Sequence, residues 1–559
     1  MLEPPAPTNG AHEGDAGPSD LSWALRPAEM LALLLGLFAI CLIATIAIFR
    51  PWTPAIGYDS ASSVLYFDRL ASGKTMEGLT ATTTKPLVTI VDGVTYNLLH
   101  DWRFPEVFST VVFAIMLALA ALLAWRTSGP VAAGMAAFGL LGSQRLLWDG
   151  LLTYANPWAI LLWILAALAL TTKSPRYGLA GAMLLLAALL RVETFLILGV
   201  VVATLLAWQL APRRWIPGGV RPPARAWLLL AGFAALPIMC VHDWLLTRDA
   251  FFWLQVSANF SANHPTAIQS PTELSQSLVG KGWSAVLLAA PLGAVGVLDL
   301  LRRRRFVVLL GLAALGPGVL AFLLLLAFRH TYVSYRYVIP LDAALVMAAA
   351  FGVDALARLV VGVGRLIARM RSPGAATRLP FGSRARSRLA LGLAAILIGG
   401  IASIAVDRPY GPLDQSTLTT IDQDIAVQAN AGQVLPTIAS AIQAMPEAAY
   451  WARGNLAAPV TGARPYLYVP GVLVPRMAVD LGIPIWAVAG VLPIGADPST
   501  LQVARGTIIY IDENPGASPS PVGRPLEVTT PTQVGHVLVT PLLALPDSGL
   551  WVLELTPAG

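Results

Sequence analysis

Apolar stretches separated by short polar connections run from residue 29 to residue 405. A helix needs about 20 apolar residues to cross roughly 30 Å of hydrocarbon. Eleven stretches are candidates, at 29–49, 108–125, 130–147, 157–171, 177–190, 194–210, 226–245, 283–300, 306–328, 337–361 and 388–405. Those at 130–147, 157–171 and 177–190 are short. Between the first two, the pattern shifts to one-sided helices. Val64, Leu65, Phe67 and Leu70 share one face of 60–71, with Asp68 and Arg69 toward the other. Leu87, Ile90, Val91, Val94 and Leu98 repeat along 86–99, behind a proline suited to a first helical position. Both segments predict amphipathic helices along a membrane surface, with Asp68, Arg69 and Asp92 on solvated faces. Beyond residue 405 no further span follows. Helices are expected at 434–445 and 473–483, and strands at 464–470, 506–513, 535–541 and 550–555, as a small α/β unit.

Composition agrees with this pattern. Of 559 residues, 56% are hydrophobic and 12% charged, which excludes a soluble globule and points to a multispanning α-helical membrane protein. The net charge of +6 comes from arginines spread over alternate loops, such as Arg302 to Arg305 and Arg365 to Arg388, so it reports topology and not nucleic-acid binding. Lys and Arg collect on the cytoplasmic side, which places loops 50–107, 146–156, 246–282 and 329–336 outside. An odd number of spans places the C-terminal part outside as well. The polar segment before residue 28 reads as a disordered cytoplasmic tail. Cys41 and Cys240 fall inside apolar stretches and imply no disulfide framework.

The ionisable residues gather toward the outer face. They include Asp59, Lys85, Asp149, Arg191, Glu193, His330 and Arg336, with Tyr335 beside the last. Interfacial charges and aromatics are often simple anchors, whereas ionisable groups within the membrane are functional candidates. Arg191 and Glu193, squeezed between two apolar runs, are the clearest such pair.

Asp59, then "LASG" at 70–73, then "TTKPL" at 83–87 ahead of a second loop helix, resembles the opening of the GT-C glycosyltransferases. These include protein mannosyltransferases, lipid A aminoarabinose transferases and arabinofuranosyltransferases. Asp59 is followed by Ser60, where many members carry a second acidic residue. The resemblance implies about 11 transmembrane helices with an extracytoplasmic α/β domain. It also implies an inverting transfer of sugar from a polyprenyl-phosphate donor to a glycan, lipid or protein acceptor. Asp59 would be the catalytic base. Lys85, Arg191, Arg336 and His330 would bind the donor phosphate, and Asp149, Glu193 and Tyr335 would contact sugar or acceptor. No cofactor is certain. A divalent metal remains possible.

Plainer readings stand beside these roles. Asp59 could cap the helix beginning near Ser60, Arg336 could anchor an aromatic belt, and Glu193 could merely neutralise Arg191. His242 and Asp243, as neighbours on one helix, are expected to point apart. A transporter, or a glycan polymerase or ligase of another membrane fold, would share the topology. The expected organisation is a tail at 1–27, a transmembrane unit at 28–405 with outer loops 50–107 and 246–282, the latter a lid or acceptor-binding loop, and an extracytoplasmic unit at 406–559. The expected setting is a bacterial plasma membrane, with the N-terminus cytoplasmic.

Overall fold

The computed structural model describes residues 27–52, 55–75, 83–172, 174–211, 222–263, 283–328, 335–371, 415–452, 465–490, 506–512, 529–534 and 536–558. The apolar part comprises α1 (Pro27–Phe49), α2 (Tyr58–Ala71), α3 (Pro86–Leu99), α4 (Arg103–Thr127), α5 (Pro130–Leu141), α6 (Gln144–Leu151), α7 (Asn156–Leu170), α8 (Tyr177–Ala188) and α9 (Thr194–Leu210). A 3-10 helix, Ala224–Ala234, runs into α10 (Ala235–Thr247). It is followed by α11 (Phe252–Asn263), α12 (Trp283–Arg302), α13 (Phe306–Ala313), α14 (Val319–Phe328) and α15 (Ile339–Arg371). A π turn at Ala314–Gly318, containing Pro317, joins α13 to α14. Proline lacks the N–H that an unbroken helix would use there.

Among the described residues four helices are long and apolar enough to cross a membrane: Arg103–Thr127, Ala224–Thr247, Phe306–Leu326 and Ile339–Val360. A fifth span arises if Arg145–Leu151 and Asn156–Leu170, bent by 108°, count as one. The sequence pattern offered eleven stretches. Several of them fold as shorter helices, and 388–405 lies outside the described residues. Phe49, Phe113, Met116, Leu117, Leu140 and Leu151 are fully buried where α1, α4, α5 and α6 meet. The crossing of α12 and α15 depends on two glycines. A Cβ on Gly352 would lie 1.8 Å from the Leu292 carbonyl oxygen, and one on Gly296 would lie 2.1 Å from that of Ala348. Small residues let membrane helices approach backbone to backbone.

Both loop helices form where the periodicity places them, but their surroundings differ from expectation. On α3 the apolar residues Ile90, Val94 and Leu98 face outward, while Thr89 and Asp92 are buried. Asp92 therefore does not lie on a solvated face. The outward stripe, four residues apart, suits lipid contact and reverses the polarity of a surface helix in water. Burial pushes the Asp92 carboxyl well above its usual range, further than Ser60 and Lys85 pull it down. A raised folded-state value means that stability falls as pH climbs above the ordinary value of about 4. Asp92→Asn is thus expected to raise the melting temperature at pH 7 and to leave it unchanged near pH 4. Calorimetry across that range checks it.

At the other end of the helices, Arg358 on α15 ties three elements together. It donates to Asp354 at 2.8 Å, to Asp299 of α12 at 2.8 Å and to Ser128 Oγ, just after α4, at 3.0 Å. Ser128 Oγ in turn donates to Asp354 at 2.8 Å. Removing the cation strands the buried Asp354, while Asp299 keeps Arg303 at 3.5 Å. Arg358→Leu is expected to cost about 3–5 kcal/mol, read as loss of thermal stability in detergent.

The C-terminal part carries α16 (Gln415–Gln443), α17 (Ala448–Ala452), α18 (Val474–Leu481) and six strands: β1 (Leu467–Tyr468), β2 (Val488–Ala489), β3 (Thr507–Asp512), β4 (Thr532–Val534), β5 (Val537–Leu545) and β6 (Leu550–Pro557). They form one sheet in the order β2-β1-β3-β6-β5-β4. β1 pairs in parallel with β2 and β3, and the remaining pairs are antiparallel. β3 is buried throughout, as its apolar run of Ile508, Ile509, Tyr510 and Ile511 requires. The four expected strands are present. β2 and β4 are too short to leave a period in the sequence.

Candidate active site

Asp59 lies in the first turn of α2, whose N-cap is Gly57. Asp59 is therefore not the helix cap, and its carboxylate has other partners. Asp59 Oδ2 accepts from Lys85 Nζ at 3.2 Å and from Arg336 Nη1 at 2.5 Å. Lys85 is held close by position, being the N-cap of α3, with Pro86 starting that helix. Arg336 lies in the 3-10 turn Tyr335–Tyr337, directly before α15. Burial alone would raise the Asp59 carboxyl, but Lys85 and then Arg336 outweigh it and hold it well below the usual carboxylate range.

Arg336 is the hub of the site. Its guanidinium stacks 3.7 Å from the Tyr154 ring centroid, and its Nε lies 4.0 Å from Asp149 Oδ1. The Tyr154 ring reaches that position because residue 57 is glycine. A Cβ there would stand 2.6 Å from the ring. Asn156 Nδ2 donates to Asp149 Oδ2 at 2.7 Å and to the Arg336 carbonyl at 3.2 Å. Arg191 forms a two-pronged pair with Glu193, Nε to Oε2 at 3.0 Å and Nη2 to Oε1, and Nη2 also reaches the Arg336 carbonyl at 3.5 Å. Asp59, Lys85, Asp149, Arg191, Glu193 and Arg336 thus form one connected cluster drawn from five segments.

Exposure divides this cluster. The side chains of Asp59, Lys85 and Arg336 remain 19%, 18% and 23% exposed, whereas those of Asp149 and Glu193 have none. The first three are therefore open to a ligand. Asp149 and Glu193 serve as buried counter-charges that hold the two arginines. Tyr335 opens the 3-10 turn that presents Arg336, and His330 lies outside the described residues.

A second cluster holds the Lys85 segment. Asp243, fully buried near the end of α10, accepts from Thr84 Oγ1, from the Trp253 N–H at 2.7 Å and from His242 Nδ1 at 3.3 Å. His242 and Asp243 therefore meet, although neighbours on a helix generally diverge. Through Thr84, α10 fixes the residue that precedes Lys85.

The divalent metal that the sequence left open finds no ready-made ligand set among the described residues. One oxygen of the Asp59 carboxylate is already shared by two cations, and among the described residues no three His, Cys, Asp or Glu side chains come together to bind an ion.

No protein-family model and no curated protein matches the chain. Solved structures do. ArnT from Cupriavidus metallidurans bound to undecaprenyl phosphate aligns over 94% of this chain and 98% of its own, at 13% identity and a TM-score of 0.50. This chain shares the fold of that ArnT. The apo state of the same ArnT aligns at 14% identity over 82% and 85% of the two chains, with a TM-score of 0.47. The apo oligosaccharyltransferase of Archaeoglobus fulgidus aligns at 14% over 81% and 64%, with a TM-score of 0.43.

Within this ArnT-like fold, Tyr154, Asn156, Thr84 and Asp243 were not among the candidate site residues read from the sequence. Tyr154 and Asn156 carried one usable signal, the polar stretch "WDGLLTYANP" breaking two apolar runs. Thr84 lay inside the "TTKPL" stretch and Asp243 beside His242, but nothing linked these two residues, 159 positions apart.

Proposed function

We propose that this protein is an inverting glycosyltransferase that takes a sugar from a polyprenyl-phosphate donor and passes it to a hydroxyl of an envelope glycan, lipid or protein at the outer face of a bacterial plasma membrane. The observation that carries this reading is the Lys85–Asp59–Arg336 triad, a reachable carboxylate gripped by two cations within an ArnT-like fold. The bound undecaprenyl phosphate of the similar ArnT supports the choice of donor class.

The triad suggests how the steps are ordered. Before donor binds, Asp59 is ionised and a poor base, because two cations stabilise its charge. A donor phosphate competes for the same cations: Arg336 offers a planar fork and Lys85 a point charge. Once they turn toward phosphate, Asp59 loses its counter-charges in a confined site and its proton affinity rises. Base strength is then gained only with donor seated, which disfavours idle hydrolysis. The acceptor hydroxyl gives its proton to Asp59 as its oxygen bonds to the anomeric carbon. The bond from that carbon to the phosphate oxygen breaks, and its electron pair leaves with the lipid phosphate. Lys85 and Arg336 stabilise this charge, and attack opposite the leaving group inverts the anomeric centre. No divalent ion enters the scheme.

Purified protein in lipid nanodiscs, supplied with radiolabelled polyprenyl-phosphate sugars and envelope extract, is expected to release polyprenyl phosphate and label an acceptor, with or without chelator. Absence of lipid-phosphate release across a panel of donors would sink the proposal.

A further inference from the structure

Gln428 of α16 is buried, and its Nε2 donates to the main-chain carbonyl of Ile56 at 3.0 Å. Ile56 stands three residues before Asp59. Next to it Gly57, the N-cap of α2, donates its N–H to the Leu152 carbonyl at 3.1 Å. The short segment leading into the Asp59 helix is therefore gripped from two sides. The α6–α7 connection holds one side, and the C-terminal part holds the other. No side chain caps α2, so these main-chain contacts fix where the helix starts and which way its first turn projects.

The orientation of the Gln428 amide is itself determined. Arg476 of α18 donates from Nη1 to Gln428 Oε1 and, at 3.2 Å, to the Gln428 main-chain carbonyl. The amide oxygen is thereby committed to Arg476, leaving the NH2 group to face Ile56. Arg476 is oriented in turn by Asp480, with Nε 3.3 Å from Oδ2, and Asp480 Oδ1 accepts from Trp102 Nε1 at 2.7 Å and from Tyr96 OH at 3.5 Å. This chain of contacts begins on α3 and the start of α4, passes through α18 and α16, and returns to the membrane part beside Asp59. Gln428, Arg476 and Trp102 are all buried, so water does not loosen it.

We infer that Gln428, oriented by Arg476, is a positioning residue for Asp59: it sets the start of α2 and thereby aims the carboxylate at Lys85 and Arg336. The inference rests on the transferase reading above. It makes the C-terminal part a component of the catalytic machinery through the backbone, beyond any role in holding acceptor. A neighbour supplies the control. Asn430, two residues along α16, donates to Asp512 Oδ2 of β3 at 3.2 Å, a contact within the C-terminal part.

The test compares full-length wild type, Gln428→Glu and Asn430→Ala in nanodiscs. Glutamate keeps the volume and the Arg476 partnership but replaces the group donating to Ile56 with an acceptor, so the variant folds. Turnover at saturating donor is expected to fall about tenfold or more with donor KM unchanged, and the amides of residues 57–61 are expected to exchange faster with deuterium. Asn430→Ala should change neither. Wild-type exchange at 57–61 in Gln428→Glu, or equal losses in both variants, overturns the inference. If wild type transfers no sugar, the transferase reading fails by itself, and the exchange comparison still decides whether Gln428 sets the start of α2.

Discussion

Asp59→Asn is expected to lower sugar transfer about a thousandfold without weakening donor binding. Asparagine keeps the shape of the carboxylate but neither accepts the acceptor's proton nor carries charge. Lys85 and Arg336, which wild type commits to Asp59 Oδ2 at 3.2 and 2.5 Å, are released toward phosphate before donor arrives. Donor affinity should hold or increase as turnover collapses. Equilibrium binding of a polyprenyl-phosphate sugar, beside single-turnover transfer, separates the two effects. Turnover within about tenfold of wild type would remove Asp59 as the base. Weakened donor binding would show that the carboxylate organises the cations and does not compete for them.

The second large effect is expected at Arg336. Lysine at this position keeps the charge but serves one partner at a time, whereas Arg336 simultaneously reaches Asp59, stacks on Tyr154 and lies 4.0 Å from Asp149. Arg336→Lys is expected to reduce kcat about a hundredfold and to raise donor KM, since one cation would have to choose between phosphate and Asp149. Arg336→Ala goes further. It leaves the fully buried Asp149 without its near cation, at a cost of about 3–5 kcal/mol, so folded yield should drop as well. Steady-state kinetics on Arg336→Lys and melting curves on both variants check these outcomes. Near-wild-type kinetics in the lysine variant would reduce Arg336 to an interfacial anchor.

Much of the scaffold was legible because apolar periodicity survives folding. Both loop helices and the strands at 507–512 and 550–557 lie within a residue or two of their sequence positions. Asp59 and Lys85 were linked by a motif, but Arg336, 277 residues from Asp59, only by its place among the outer-face charges. What escaped had specific causes. Asp92 reads as solvated under the rules for water, but where α3 turns its apolar stripe outward the polar side becomes the interior. His242 and Asp243 meet because Asp243 also collects Thr84 and the Trp253 N–H, contacts between segments that share no period. Gln428 lies outside the helix expected at 434–445, because that helix begins at Gln415, and only its docking against Ile56 gives the residue an address.

The inverted polarity of α3 has a further consequence for Lys85, which caps that helix. Ile90, Val94 and Leu98 give α3 an exposed apolar stripe suited to lipid, so Lys85 sits between a protein tether, Thr84 on Asp243, and a helix face that a bilayer would press on. The lipid packed against that face is thereby one of the forces on the Lys85–Asp59 pair, beside the protein contacts that hold it.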